Sequence, residues 1–417
     1  MNDYYNVRDL IYFTTKGIAP SYVNSSDVIV LNQKCIRNNK IDYSFAQYHD
    51  VAKTFTDSKK VKVGDILINS TGQGTAGRCA FVTQLPSEKT VIVDSHILIV
   101  RVEDFYTAGC LSYGLFSVER LLQSFLDGST GQGEFDKQRL FNIILRLPHE
   151  KERQAVYLLL NKIDQKIEVN NRINAELEAM AKTLYDYWFV QFDFPNEDGK
   201  PYKSSGGKMV YNTTLKREIP VMFSEGVLDN LGQIVGGSTP DTRDCDNFCI
   251  KGVPWITPND LSNNQGNKYI SKGEKNVSDK GIKSASLKKY PLGTVLLTSR
   301  APIGYMAIAR KEFTTNQGFK SFIPNKGYPT DFVYYTIKNS LSIIIQFASG
   351  STFKEISTTV LKTVPIVLPP LHIVKDFTNK IDSLTKQQNI LVKECSELKK
   401  LRDWLLPMLM NGQVTVK

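Results

Sequence analysis

The chain has 417 residues, too many for one ordinary domain and suited to two domains with connecting helices. Lys and Arg total 52 against 42 Asp and Glu, with an isoelectric point near 9.1, a balance that favours a polyanionic partner such as nucleic acid. No apolar run reaches the roughly 18–20 residues of a membrane span. Met1-Asn2-Asp3-Tyr4-Tyr5 has neither the basic nor the apolar region of a secretory signal. Of six scattered cysteines only Cys245 and Cys249 are close, so no zinc site can be completed, and reduced thiols in a cytoplasm are expected.

Residues 1–147 read as a mixed α/β domain, with short β-branched and aromatic runs broken by Gly, Asn, Asp and Ser. Strands are expected at 65–69 and 96–102, and an amphipathic helix at 117–126. Residues 148–192 change character. From Glu150 to Phe192 there is no Gly or Pro, and Val156, Leu160, Ile163, Ile167, Leu177, Ala181, Leu184 and Trp188 form a seam interrupted by Asn170 and Asn174. Such a helix would span roughly 60 Å at about 1.5 Å per residue, and polar residues in an apolar seam fix register and partner.

Residues 193–219 read as a linker, with Pro195, Gly199, Pro201, Ser204, Ser205, Gly206 and Gly207 in quick succession. A second α/β unit follows over 220–368. After Pro369-Pro370 a second long helix is expected over 369–417, with the seam Phe377, Ile381, Leu384, Gln388, Leu391, Cys395, Leu398, Leu405 and Leu409, ending at Gly412. Each helix must bury its stripe. Packed antiparallel against each other, the two would form a coiled-coil spacer between two domains related by a pseudo-twofold axis.

The halves echo each other. Asn161-Lys162-Ile163-Asp164 recurs 218 residues later as Asn379-Lys380-Ile381-Asp382. Gly128-Ser129-Thr130 returns as Gly350-Ser351-Thr352, Leu147-Pro148 as Leu368-Pro369, and Val63-Gly64-Asp65-Ile66-Leu67 as Leu292-Gly293-Thr294-Val295-Leu296. The ordered set implies a tandem duplication, and a twofold object such as duplex DNA suits it.

Catalytic signatures are missing. Gly72-Gln73-Gly74-Thr75-Ala76-Gly77 matches G-x-G-x-x-G, but a dinucleotide site needs a helix next, and residues 78–82 read as a strand, so a hairpin loop is expected. There is no Walker A sequence, and His49, His96, His149 and His372 show no metal-ligand spacing. The rival reading, a stand-alone nucleotide-binding enzyme with a dimerisation helix, rests on that glycine loop.

Means to hold DNA are present. Lys268, Lys272, Lys275, Lys280, Lys283, Lys288 and Lys289 are clustered, and Lys34, Arg37 and Lys40 lie in the first half. Cations on phosphates give affinity, whereas Asn, Gln, Ser, Thr and Arg read base edges. The candidate contacts are therefore Arg37, Asn69, Ser70, Thr71, Gln73 and Arg78 in the first half. In the second they are Thr257, Asn259, Asn264, Lys283, Lys288, Lys289 and Arg300. For the helical spacer and subunit docking they are Ile163, Ile167, Leu177, Leu184 and Trp188 with Ile381, Leu384, Leu391 and Leu398.

The layout of domain, long helix, domain, long helix resembles the specificity subunits of type I restriction–modification systems. So do Tyr187-Trp188-Phe189, the linker that begins Phe192-Asp193-Phe194-Pro195-Asn196-Glu197-Asp198-Gly199, and Gly236-Gly237-Ser238-Thr239-Pro240. Lys16-Gly17-Ile18-Ala19-Pro20 is a looser match in the first half. The resemblance covers the whole chain. It implies a non-catalytic subunit with two target-recognition domains, each reading half of a bipartite, asymmetric sequence in double-stranded DNA. It also implies two docked methyltransferase subunits carrying S-adenosylmethionine, and motor/endonuclease subunits bringing ATP and Mg. No cofactor is expected on this chain.

Overall fold

All four residues of Ile66–Asn69 are buried, as a strand covered on both faces requires. In the computed structural model, which describes residues 4–72, 74–127, 133–300, 302–348 and 355–416, this strand pairs antiparallel with Ile97–Val102 on one side and Cys79–Phe81 on the other. Ile11–Lys16 completes the sheet. A second sheet places Val28–Leu31 between Thr90–Val93, parallel, and Gln47–His49, antiparallel, with Tyr22–Val23 outermost. Tyr4–Asn6 closes against Ile144–Arg146.

The chain divides into two units, Met1–Glu168 with Cys395–Lys417, and Val169–Glu394. The second unit repeats the pairings of the first in the same chain order. Gln233–Gly236, Lys320–Ile323, Val295–Leu297 and Met306–Ala309 form one sheet, with Tyr269–Ile270 added at its edge. Val253–Ile256 lies between Thr314–Thr315, parallel, and Lys275–Val277, antiparallel, with Phe248–Cys249 outermost. Ser224–Val227 closes against Pro365–Leu368. Mixed helix and sheet, twice, is the architecture.

The expected helix at 117–126 is corrected. The chain instead forms a buried helix at Phe105–Ser117, a short helix at Glu119–Gln123 and a strand at Leu126–Asp127. The buried helix carries Ala108, Gly109, Cys110, Ser112 and Gly114, small residues that leave no amphipathic pattern to read. They allow close packing: a Cβ on Gly109 would stand 2.3 Å from the ring of Tyr157.

The first long helix runs Arg153–Tyr185 and continues as a π-helical turn, Asp186–Val190; the second runs Leu371–Met410. In the first unit Ile163 and Ile167 pack with Cys395, Leu398 and Leu405. In the second, Trp188 and Phe189 lie 5.9 and 5.2 Å from Phe377, and Ile381 joins the same core with Leu184 and Leu384 at its border. Leu391 is buried and Leu177 half-buried. Within each unit the partner's number falls as the residue number rises, so the paired segments are antiparallel. The linker is folded rather than loose. Phe194 stacks on Tyr202 and Phe223, and Asp193 accepts hydrogen bonds from the Ser204 amide and hydroxyl, both at 2.7 Å.

Candidate nucleic-acid interface

In the first unit three strand ends meet. Val28–Leu31 and Thr90–Val93 run parallel, so both deliver their following loops, residues 32–34 and 94–96, to one edge. Asn69 pairs with Ile97, which brings residues 70–72 there too. The edge is tied together by side chains. Gln33 Nε2 donates to Thr71 Oγ1, which lies 2.8 Å from His96 Nδ1. The Asn32 side chain accepts from the Lys34 amide at 2.9 Å. A cavity of about 530 Å³ opens among Gln33, Lys34, Phe45, Gln47, Asp94 and His96. Burial raises the Asp94 carboxyl above its ordinary range, while the His96 amide opposes the shift by donating to it at 2.9 Å. Tyr22, Phe45 and Tyr48 stand exposed nearby in sequence and sheet.

The second unit builds the same edge from residues 257–259, 298–300 and 316–318. The Ser299 amide donates to Gly318 O at 2.8 Å and the Asn316 amide to Ile256 O at 3.3 Å. Thr239 Oγ1 donates to Gln317, whose side chain is exposed. The equivalence extends to the glycines that open each domain. A Cβ on Gly17 would stand 2.1 Å from the Val93 and Asp94 carbonyl oxygens, and one on Gly237 would stand 2.2 and 2.3 Å from those of Thr315 and Asn316. The looser sequence match at residues 16–20 hides the same close approach.

The predicted contacts divide. Arg37, Asn259, Lys283, Lys288 and Lys289 are exposed, and Thr71, Arg78 and Arg300 are half-buried. Arg37 sits on a hairpin whose Asn38 and Asn39 have positive φ. Lys288 and Lys289 line a cavity of about 490 Å³ beside Gly236, Gly237 and Ser238. Asn69 and Ser70 depart from expectation. Asn69 is wholly buried and donates to Gln33 O at 3.1 Å, and Ser70 is 2% exposed, so both hold the edge instead of facing solvent. Thr257 is spent capping a helix with Asp260, and Asn264 donates to Asn267 O and Tyr269 O. Lys268 leaves the lysine run for the interior, its side chain 1% exposed against Asp331. Gln73 and both Gly-Ser-Thr triplets lie outside the described residues. Gln33, His96 and Gln317 also lie on these edges, though nothing in the sequence reading singled them out. Their only signal was a polar residue one to three positions beyond a strand end.

Among its described residues, the glycine loop lacks the following helix that a dinucleotide site needs. Gly72, Gly74 and Gly77 all have positive φ and connect antiparallel strands Ile66–Asn69 and Cys79–Phe81, so no helix follows. A Cβ on Gly77 would meet the Leu122 backbone at 2.5 Å.

Two units of like strand order, each with a polar loop edge and each packed on segments of the long helices, make up the chain. The family model for the type I restriction modification DNA specificity domain matches residues 6–179 and again 220–399, and the chain belongs to that family. It is 38% identical over 198 residues, 45% of each chain, to the specificity subunit of the type I restriction enzyme MjaIX from Methanocaldococcus jannaschii. It is 25% identical to the HindI specificity subunit from Haemophilus influenzae, over 93% of this chain and 94% of that one. The fold is shared with the type I S subunit from M. genitalium, at a TM-score of 0.54 and 13% identity, over 98% of this chain and 96% of that one. The chain is thus the DNA-recognition subunit of a type I system, a subunit that is not itself catalytic. Among the described residues, no helix is long and apolar enough to cross a membrane.

Proposed function

We propose that the two loop edges read the two halves of a bipartite, asymmetric DNA target. Residues 1–147 and 220–368 are the readers, and residues 148–192 and 369–417, joined by the linker 193–219, set the unread gap. The observation that carries this reading is one strand order used twice with unlike residues at its edge: Gln33, Lys34 and His96 in one unit, Pro258, Asn259 and Gln317 in the other. Equal scaffolds with unequal side chains suit two unlike half-sites. Arg37, Arg78, Arg300, Lys283, Lys288 and Lys289 supply further contacts, while Asn69, Ser70, Thr257 and Asn264 support the loops.

The helices dock two methyltransferase subunits that carry S-adenosylmethionine, and restriction subunits that use ATP and Mg complete the assembly in the cytoplasm. Mapping methylated adenines in a host genome with and without the gene tests the reading. Two unlike half-sites should appear, their centres on the order of one helical turn apart. A single continuous motif would overturn it.

A further inference from the structure

The phenol of Tyr113, on the buried helix Phe105–Ser117, donates a 2.7 Å hydrogen bond to Asp164 Oδ2 on the first long helix. Arg402, from the second long helix, holds the other carboxylate oxygen at 2.7 Å. The second unit repeats this with different groups. Tyr335, on the helix Thr330–Asn339 that follows the equivalent strand, donates to Glu178 Oε2 at 2.9 Å. Gln388 of the second long helix lies 3.4 Å from the same oxygen, and Lys338 holds Oε1 at 3.0 Å. Lys268 packs behind, 3.0 Å from the Tyr335 hydroxyl, 2.7 Å from Asp331 and 4.4 Å from the Tyr335 ring centre. In each unit one carboxylate of the first long helix joins the domain's own helix to the second long helix.

Apolar contacts tolerate small rotations, because packing energy is spread over many weak contacts. A half-buried carboxylate gripped by several donors tolerates them less, because those hydrogen bonds are directional and short. Burial also pushes both phenols far above their ordinary range, so each remains a protonated donor.

We propose that these two tyrosine–carboxylate contacts are angular latches, positioning residues that fix the direction in which each recognition domain leaves its helix pair and so restrict the gap the protein accepts. The proposal rests on the bipartite reading above. The full chain, assembled with its methyltransferase subunits, is given duplexes carrying both half-sites with the gap lengthened or shortened by one base pair. Tyr113→Phe, Tyr335→Phe and Glu178→Gln should each raise methylation of the off-length gaps relative to the native gap by tenfold or more, with the half-site sequences unchanged. Glu178→Gln, which keeps the size of the side chain but removes the charge that Lys338 and Tyr335 hold in place, tests the second latch if Tyr335→Phe folds poorly. A uniform loss at every gap, or an unaltered gap preference in the folded variants, would overturn the latches alone. A native protein indifferent to gap length would overturn the bipartite reading and the latches with it.

Discussion

Asn170, fully buried on the first long helix, donates a 2.9 Å hydrogen bond to Glu394 on the second. One turn further along, Asn174 is buried with its Oδ1 lacking a hydrogen-bond partner among the described residues, and its backbone carbonyl lies 3.4 Å from Gln388 Nε2. A polar belt thus crosses the seam, specifying register at the expense of stability. Asn174→Leu should raise unfolding stability by about 1 kcal/mol, since it replaces an imperfectly paired amide by apolar packing. Asn170→Leu should give no such gain, because it strips a donor from Glu394. Urea melts of the two variants decide this, and destabilisation by Asn174→Leu would contradict it.

Asp65 and Arg101 form a buried two-contact ion pair, at 2.9 and 3.2 Å. Burial raises the Asp65 carboxyl despite the opposing guanidinium. The register places Thr294 and Ile323 at the matching positions of the second unit, where Thr294 bonds to Pro291 O. Asp65→Ala should cost about 3–5 kcal/mol by leaving a buried cation unpaired. Asp65→Thr combined with Arg101→Ile should cost less than Asp65→Ala alone, as measured by chemical denaturation. A double variant weaker than the single would show that the pair cannot be exchanged for its apolar counterpart.

Gln33→Ala or His96→Ala should relax base preference at one or two positions of a single half-site, with about 1–3 kcal/mol of discrimination lost for each bidentate contact. Gln317→Ala should do so at the other half-site. Binding to randomised duplexes provides the readout. Changes at both half-sites from one substitution would mean the edges do not read separately.

Neutralising Lys283, Lys288 and Lys289 should weaken binding to all duplexes alike. The dependence of log affinity on log salt should flatten by roughly 0.9 per lost phosphate contact. Lys289 lies 3.9 Å from Glu312, so its share should be the smallest. Titrations at several salt concentrations measure the slope, and an unchanged slope would leave these lysines as a solvated face.

The long helices were legible because burial there follows local spacing. Ile163 and Ile167 are four residues apart, and Ile381, Leu384, Gln388 and Leu391 follow at steps of three, four and three, spacings that a helix converts directly into one face. The hairpin at the glycine loop was legible for a similar reason, since a strand-like run follows it at once. Phe105–Ser117 was not, because a helix buried on most sides needs small residues rather than a stripe. The reading edge was the least legible part. Asn69 and Gln33 are equally polar in sequence, yet the first lies inside a sheet and the second faces a cavity. Likewise Lys268 and Lys288 share one basic run, but the pairing of Tyr269–Ile270 beside Met306–Ala309 carries Lys268 into the interior, against Asp331 and Tyr335. Local sequence determined the helices and their polar interruptions, since those depend on neighbours within one or two turns. Only the tertiary structure decided which polar side chains reach solvent, because strand ends far apart in the chain must first converge on one edge.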